Sequence, residues 1–188
     1  MKSASLGKLS LVLLLLVALG ACAKKNVGMQ PGFGPGSGEG AMGTEGRERG
    51  MGMDDARWRE LGINSEPEKR EFLQRAQGFE NEDVYFDYDA YDLSEPAKKI
   101  LDSKAEFMKR YPKVKVSIEG HCDERGTAEY NLALGERRAQ SALQYLVNSG
   151  VHQQNMSTIS YGSERPIATG HDESSWARNR RDHFVLNY

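Results

Sequence analysis

The strongest constraint on the fold is the way two hydrophobic periods alternate between residues 83 and 188. Segments with an apolar residue at every second position, such as Val114, Val116 and Ile118, predict strands. They alternate with longer segments in which apolar residues recur three or four positions apart, as in a helix. Strands that are joined through helices require crossovers. The order βαβαβ(α)β therefore predicts an α/β (α+β) two-layer sandwich, with a mixed four-stranded sheet and helices on one face.

The predicted elements have recognisable ends. Ser94 and Thr127 are typical N-caps, and they predict helices that run from Ser94 to Pro112 and from Thr127 to Asn148. A short helix is expected within 174–181. We expect strands at residues 83–88, 114–118, 157–162 and 183–188. The first strand should place on one face Val84, Phe86 and Tyr88. The buried stripe predicted for the second helix consists of Leu132, Ala139, Leu143, Leu146 and Val147.

Residues 1–21 are typical of a bacterial lipoprotein signal. Lys2 and Lys8 precede an apolar run that is too short for a comfortable membrane span, and small residues then lead to Cys22. This pattern predicts that the Cys22 thiol is acylated and becomes the first residue of the mature chain. Because Ala23 rather than Asp follows it, we expect a lipid anchor in the outer membrane, with the chain facing the periplasm. An ordinary signal peptide with a chance cysteine is the alternative.

Two segments separate this signal from the predicted domain, which we place at residues 80–188. Residues 22–53 contain ten glycines and two prolines and show no apolar periodicity. They predict a flexible tether. Residues 54–79 are highly charged, with thin apolar content at helical spacing. We expect short helices there that either dock on the domain or remain mobile.

The charge and the cysteines exclude some functions. The formal net charge is −2. Removal of residues 1–21 takes away two lysines and no acids, and changes the charge from −2 to −4. An acidic chain is poorly suited to a phosphate backbone, so nucleic acid is not an expected partner. If Cys22 carries lipid, Cys122 has no partner within the chain in an oxidising compartment. We therefore expect Cys122 to be a small, core-facing residue.

Three polar residues form a candidate binding site. Asn131 and Arg138 are seven positions apart, so they lie nearly on one face of the second helix, at the edge of its predicted apolar stripe. An arginine there can pack its stem and expose its guanidinium. Asp123 lies in the loop before the helix. Asp123 could then bind the ammonium of a ligand, and Arg138 its carboxylate, where the ligand carries both groups on one carbon as a free amino acid does. The simpler interpretation is a turn aspartate and a solvated arginine.

The motifs around these residues resemble the OmpA-like peptidoglycan-binding domain family. The signature Gly-His-x-Asp stands at 120–123, Asn-x-x-Leu at 131–134 and Arg-Arg-Ala at 137–139. The resemblance covers residues 83–188. It implies that Asp123 and Arg138 hold the diaminopimelate residue of the peptidoglycan stem peptide. The Asp-Glu-Arg-Gly-Thr run at 123–127, which includes Arg125, and the Asn-Arg-Arg run at 179–181, which includes Arg180, match further motifs and imply additional polar contacts.

The resemblance also implies a role in the cell. It predicts a lipoprotein, not an enzyme and without a cofactor, that ties the outer membrane to peptidoglycan. It predicts TolB and other Tol proteins as partners, acting during envelope constriction and cell division. We expect Asp123→Ala and Arg138→Ala to weaken wall binding and leave the fold intact. Two positions depart from the family pattern. Cys122 stands where Thr or Ala is usual, and Asp182 stands where an apolar residue is common.

Three other functions are compatible with parts of the sequence. The sequence His121-Cys122-Asp123 suggests a metal site, but adjacent residues on an extended chain point to opposite faces and chelate poorly. A cell-wall hydrolase would need paired carboxylates, for which Asp123 and Glu124 are the candidates. These two residues are adjacent in a polar loop, and nothing nearby indicates a raised pKa or a held nucleophile. A structural lipoprotein that contacts only periplasmic proteins is the third interpretation.

Overall fold

The computed structural model describes residues 53–188. The predictions for the signal at 1–21, for the acylation of Cys22 and for the glycine-rich tether lie outside the described residues. None of the helices in the described part is long and apolar enough to cross a membrane.

Four strands form one mixed sheet in the order β1-β4-β2-β3. Their bounds are β1 Val84–Tyr85, β2 Lys115–His121, β3 Met156–Gly162 and β4 Arg181–Asn187. Strand β4 runs antiparallel to β1 and to β2, whereas β2 and β3 are parallel. The helices are α1 Asp55–Glu60, α2 Glu66–Asn81, α3 Glu95–Arg110, α4 Ala128–Asn148 and α5 Glu173–Asn179. The predicted mixed four-stranded sheet is confirmed.

The core lies between the sheet and α2, α3 and α4. Paired residues of β2 and β4, such as Ile118 and Phe184, point their side chains to this side and are fully buried. The ring of Phe79 on α2 lies 6.1 Å from that of Phe184. Strand alternation therefore gives the sheet one apolar face, and helical periodicity supplies the matching stripes, which yields the two predicted layers.

The helix ends follow the predicted capping residues. The Ser94 hydroxyl accepts a hydrogen bond from the backbone N–H of Ala97. The Thr127 hydroxyl accepts one from the N–H of Tyr130. After α4, Gly150 adopts a φ of +93°, a left-handed conformation that glycine tolerates and other residues rarely adopt. These contacts fix where α3 and α4 begin and where α4 ends.

The structure corrects the predicted first strand. Strand β1 has two residues rather than six, and Tyr88 is exposed rather than buried with Val84 and Phe86. The chain turns away because Asp89 adopts a φ of +52°. Residues 87–90 therefore form a loop beside the end of the sheet, where they contribute to the candidate site.

The predicted stripe of α4 is wrong at its first position. Leu132 is 40% exposed, whereas Asn131 and Arg138 are buried. The first turns of α4 face the polar loops at the end of the sheet, so polar side chains fill the buried positions there. Strand β4 also begins two residues earlier than predicted, because Asp182 pairs with Val84 on one side and with Gly120 on the other.

The charged segment before the domain forms α1 and α2, and both helices are docked. Their few apolar residues are nearly all buried: Trp58, Leu61, Phe72, Ala76 and Phe79. The ring of Phe72 meets that of Trp58 edge-on at 5.6 Å and that of Tyr188 at 5.0 Å. A small number of aromatic contacts is therefore enough to seat this segment on the core.

Lys104 on α3 is a buried cation that the hydrophobic pattern did not predict. It is 2% exposed, and its ammonium lies 4.3 Å from the ring centres of both Phe79 and Phe184. It also donates a hydrogen bond to the carbonyl of Phe79 in the last turn of α2. Burial lowers the pKa of Lys104 to about 8. This residue joins α2, α3 and β4 from inside the core.

A close approach of α4 to β2 sets the position of the candidate site. A Cβ atom on Gly120 would lie 2.0 Å from the carbonyl oxygen of Gly135. Only glycine at position 120 permits this contact. Because Arg138 follows Gly135 by one helical turn, the contact brings its side chain to the end of β2.

Candidate functional site

A cavity of about 230 Å³ opens at the C-terminal end of β2, beside the first turns of α4. All five residues predicted to bind ligand line it: Asp123, Arg125, Asn131, Arg138 and Arg180. The remaining lining residues are Tyr88, Asp89, Cys122, Gly126, Tyr130 and Leu134. The structure therefore brings together residues from the loop after β1, the loop after β2, helix α4 and the start of β4.

Asp123 is the buried anion of this cavity. Its carboxylate accepts hydrogen bonds from the backbone N–H and the Nε of Arg125, both at 3.1 Å, and from Nη2 of Arg125 at 2.6 Å. Nη1 of Arg180 donates a further bond at 3.3 Å. Burial raises the pKa of Asp123, but these hydrogen bonds outweigh that effect and the net pKa lies below its ordinary value. Asp123 is therefore ionised between two guanidinium groups.

The two arginines on Asp123 are held differently. Arg180 is 5% exposed, and it also donates to the carbonyl of Phe86 and to the carboxylate of Glu173, at 3.1 and 2.6 Å. The side chain of Arg125 is 29% exposed. Its guanidinium lies between two rings, 4.1 Å from the centre of Tyr88 and 4.2 Å from that of Trp176. Arg125 is thus the accessible member of the pair.

Arg138 lies on the floor of the cavity. Its guanidinium was predicted to be exposed, but it is buried. The residue is 0% exposed. Its Nε donates to the carbonyl of Ala90 at 2.8 Å, Nη1 to that of His121 at 2.9 Å and Nη2 to that of Asp87 at 3.1 Å. Two carbonyls from the loop after β1 and one from the end of β2 converge on one planar group with matching donors. The structure therefore replaces the expectation that Arg138→Ala would leave the fold intact.

Asn131 supports the loop that carries Asp123. It is buried, and its Nδ2 donates to the backbone carbonyls of Asp123 at 3.3 Å and of Arg125 at 3.0 Å. These bonds fix the turn that presents the carboxylate. Asn131 therefore positions Asp123, and its own role in ligand binding stays a prediction.

Cys122 is buried, as predicted, and it lines the cavity. Its thiol donates to the carbonyl of Asn131 at 3.3 Å, and Nη1 of Arg138 lies 3.5 Å from its sulfur. Burial raises the pKa of the Cys122 thiol to about 11. Since the thiolate is the reactive form, the raised pKa leaves little of that form at neutral pH.

His121, Cys122 and Asp123, whose adjacency in the sequence argued against a metal site, each have separate partners. The ring of His121 stacks on Tyr161, with ring centres 5.6 Å apart, and burial lowers its pKa to about 4. Within residues 53–188, no three His, Cys, Asp or Glu side chains are arranged to share a metal ion. The cavity is instead built from guanidinium groups around one carboxylate, which suits a ligand with charges of both signs.

A larger groove of about 480 Å³ lies between α2 and α3. Its arginines, Arg75 and Arg110, both pair with Glu71, each at 3.0 Å. Exposed pairs of this kind contribute little and are common on protein surfaces. The groove contains none of the predicted binding residues, so we assign the candidate site to the smaller cavity.

Asp182 is a buried acid that the sequence analysis did not assign to the core or to the site. It is fully buried on the helix-facing side of β4, opposite Gly120. In the described part of the chain neither of its carboxyl oxygens has a hydrogen-bond partner. Burial raises the pKa of Asp182 well above its ordinary value, more than the charge of Arg138 lowers it. The sequence indicates this position only as a departure from the family pattern, an Asp where an apolar residue is common.

We expect Asp182→Asn to stabilise the protein at neutral pH by about 1–3 kcal/mol, because the amide keeps the shape and removes the cost of burying a charge. The folded pKa is raised above the unfolded one. The wild-type protein therefore loses stability as the pH rises from the pKa of Asp182 in the unfolded state to its pKa in the folded state. The gain in stability from Asp182→Asn should vanish at a pH below both of these pKa values. Urea unfolding between pH 3.5 and 8 measures this difference.

The exposed residue Asp92 provides the control, since Asp92→Asn should change the unfolding free energy by less than about 0.5 kcal/mol. A destabilised Asp182→Asn protein at pH 7 would contradict this account of Asp182. So would a gain in stability that does not change with pH.

Comparison with known proteins agrees with this fold. Residues 85–180 match the OmpA family. The peptidoglycan-associated lipoprotein of Pseudomonas aeruginosa is 41% identical over 172 residues, which cover 92% of this chain and 91% of that protein. The crystal structure of the peptidoglycan-associated lipoprotein from Burkholderia pseudomallei is 44% identical, with a TM-score of 0.55 over 56% of this chain and 89% of that chain.

A more distant structure shares the fold alone. The C-terminal domain of Helicobacter pylori MotB is 21% identical, with a TM-score of 0.54 over 57% of this chain and 84% of that chain. The architecture is that of an OmpA-like domain. The chain belongs to the OmpA family, among the peptidoglycan-associated lipoproteins. The name of these relatives describes an association with peptidoglycan and not a reaction. This agrees with the prediction that the chain is not an enzyme.

Proposed function

We propose that this protein binds peptidoglycan non-covalently through the diaminopimelate residue of the stem peptide. The observation that carries the proposal is the ionised carboxylate of Asp123, held between two guanidinium groups at the wall of a 230 Å³ cavity. The free end of diaminopimelate carries an ammonium and a carboxylate on one carbon. A site with one anion and several cations is complementary to that pair of charges.

In the proposed complex, Asp123 receives the ligand's ammonium. Because the carboxylate of Asp123 is already bound by Arg125 and Arg180, the ammonium must replace one of these contacts. Arg125 is the one that can move, since its side chain is 29% exposed and that of Arg180 only 6%. The displaced guanidinium remains close enough to bind the ligand's carboxylate bidentately.

Arg138 and Asn131 contribute to binding from the floor of the cavity. Arg138 supplies a positive charge at the cavity floor and favours the ligand's carboxylate, while its three carbonyl bonds hold the surrounding loops in place. Asn131 keeps Asp123 in position. A preformed arrangement of this kind reduces the ordering cost of binding.

We infer the cellular role from the same site. Acylation of Cys22 would hold the protein in the outer membrane, and residues 22–53 would form a tether long enough for the domain to reach the wall. The protein would then connect outer membrane and peptidoglycan. We propose TolB and other Tol proteins as its partners in envelope integrity and cell division.

Cell-wall hydrolysis is disfavoured by the carboxylates of the site. Glu124 faces away from the cavity, and its carboxylate bonds to His171 at 2.7 Å and to the indole of Trp176 at 2.9 Å. Hydrogen bonds from His171 and Trp176 lower the pKa of Glu124, and the pKa of Asp123 is also lowered. A glycosidase needs one carboxyl group whose pKa is raised, so that it can act as the acid.

Purified peptidoglycan sacculi test the proposal. The mature chain with Cys22→Ser, which cannot be acylated, should sediment with sacculi and release no soluble fragments. Release of muropeptides would indicate a hydrolase. A protein that neither sediments nor releases fragments would support the structural lipoprotein that contacts only proteins, and would overturn the proposal.

A further inference from the structure

Helices α1 and α2 form a segment that packs on the domain without belonging to its sheet. The match to the OmpA family begins after both helices. We call residues 54–81 the strap. Helix α1 packs on the first half of α2, through the edge-on contact of Trp58 with Phe72 and an exposed ion pair between Asp55 and Lys69 at 2.9 Å. The position of α1 therefore depends on α2.

The strap leads the chain away from the cavity. Strand β4 begins beside the cavity and ends at the opposite end of the sheet. In the last turns of α2, the ring of Phe79 lies 6.1 Å from that of Phe184. Two turns earlier, the ring of Phe72 lies 5.0 Å from that of Tyr188, beyond the end of β4. Followed from residue 81 back to residue 66, α2 therefore runs toward the end opposite the cavity, over a length of about 24 Å.

We propose that the strap is a releasable extension of the tether, which separates from the domain under tension while the sheet and the cavity stay folded. This inference rests on the proposed function. A domain that is bound to the wall at its cavity and to the outer membrane through Cys22 is pulled at opposite ends. The pull enters the domain at residue 54 and acts along α2. Once released, residues 54–81 can extend to about 90 Å.

The polar contacts that hold α2 from inside the protein lie in its last turn. There Lys104 donates to a backbone carbonyl of α2, and the carboxylate of Glu80 accepts a hydrogen bond from the backbone N–H of Leu186 at 2.9 Å. Nearer the first turn, Glu71 pairs with Arg110 at 3.0 Å, an exposed contact of a kind that contributes little. Release should therefore start at α1 and proceed toward the last turn of α2.

The packing of α2 against α3 is incomplete. The groove of about 480 Å³ between the two helices is lined by Phe79, Phe107 and Lys104, among others. Atoms that face such a groove lack neighbours on one side and lose the attraction that a filled core provides. The strap also has few buried apolar side chains for its length, and segments of this kind open at a lower free energy than core strands. We therefore expect the strap to open before the sheet.

Force spectroscopy on the mature chain tests the inference. One handle is attached to the unacylated thiol of Cys22 and the other to the thiol introduced by Glu129→Cys. Position 129 is exposed and precedes Tyr130, which lines the cavity. Cys122 is buried and should not react with the handle. We expect a first step of about 70 Å, the extended strap less the length of α2, and at higher force a second step of about 150 Å from residues 82–129.

Two variants connect the first step to the strap. Phe72→Ala should speed the first step about tenfold or more at constant force, because this ring joins the strap to Tyr111 and Tyr188. It should leave the second step unchanged. The matched control is Gln74→Ala, at an exposed position of the same helix, which should change the rate of either step by less than about twofold.

A single step of about 220 Å would show that the strap and the sheet unfold together, and would overturn the inference. So would a first step that Phe72→Ala leaves unchanged. The diaminopimelate-containing tripeptide separates the inference from the proposed function, since a ligand of the cavity should slow the second step and not the first. Two steps without any effect of the tripeptide would overturn the proposed function and retain the releasable strap.

Discussion

Arg138→Ala is expected to destabilise the domain by about 3–5 kcal/mol. The substitution removes the guanidinium donors from three carbonyls, those of Asp87, Ala90 and His121, of which Asp87 keeps a bond from the backbone N–H of Ala90 at 3.3 Å. Each unsatisfied buried acceptor costs about 1–3 kcal/mol, and the lost side chain also leaves a cavity. Some of this cost is recovered where water enters, which is why the expected total is below the sum of the parts.

Urea unfolding of both proteins measures the loss, and Arg137 gives a matched control. It precedes Arg138 on the same helix but is exposed, so Arg137→Ala should change stability by less than about 0.5 kcal/mol. Equal, small effects of the two substitutions would show that Arg138 is a solvated helix charge. They would contradict its assignment to the cavity floor.

Asp123→Asn is expected to weaken binding of the diaminopimelate-containing tripeptide by about 2–5 kcal/mol, which is about 30-fold or more. Asparagine keeps the shape of the side chain but cannot offer a negative charge to the ligand's ammonium. It also leaves Arg125 and Arg180 without the carboxylate that they share. Calorimetry under matched salt conditions measures the change.

Glu124→Gln is the control for this substitution. Glu124 is the adjacent acid in the sequence, but its carboxylate contacts His171 and Trp176 rather than the cavity. We expect it to retain tripeptide binding within about twofold. Thermal unfolding of both variants separates lost binding from lost structure. Similar losses for Asp123→Asn and Glu124→Gln would show that only the net charge of the loop matters.

The architecture could be predicted because it depends on local patterns. Alternation identifies β2 and β3, and helical spacing with a capping Ser or Thr identifies α3 and α4. The end of β2 was predicted too early, since the strand continues through Gly120 to His121. Helical spacing predicted that Asn131 and Arg138 share a face, and the structure brings both residues together with Asp123.

The environments of these residues could not be predicted in the same way. A helical pattern counts Arg138 and Lys104 as polar, although both are buried, because the groups that satisfy them come from other segments. Arg138 needs the carbonyls of residues 87–90, and Lys104 needs the rings of Phe79 and Phe184. Such partners are distant in sequence and are set only by the tertiary fold.

Tyr88 was misassigned for a related reason. Alternation continues through it, but the backbone turns at Asp89, where a residue other than glycine adopts a positive φ. Nothing local in the sequence requires that conformation. The hydrogen bond from Tyr130 to Asp89 accounts for it, and this contact spans 41 positions. Tyr88 thereby lines the cavity rather than the core.

The most direct test compares two stem tripeptides that differ in one carboxylate group. Diaminopimelate and lysine both end in an ammonium, but only diaminopimelate carries a carboxylate on the same carbon. The guanidinium groups around Asp123 should make that carboxylate decisive. In calorimetric titrations of the mature chain, we predict that the diaminopimelate tripeptide binds at least about tenfold more tightly than the lysine tripeptide. Equal affinity for the two tripeptides would contradict recognition of a paired ammonium and carboxylate at this site.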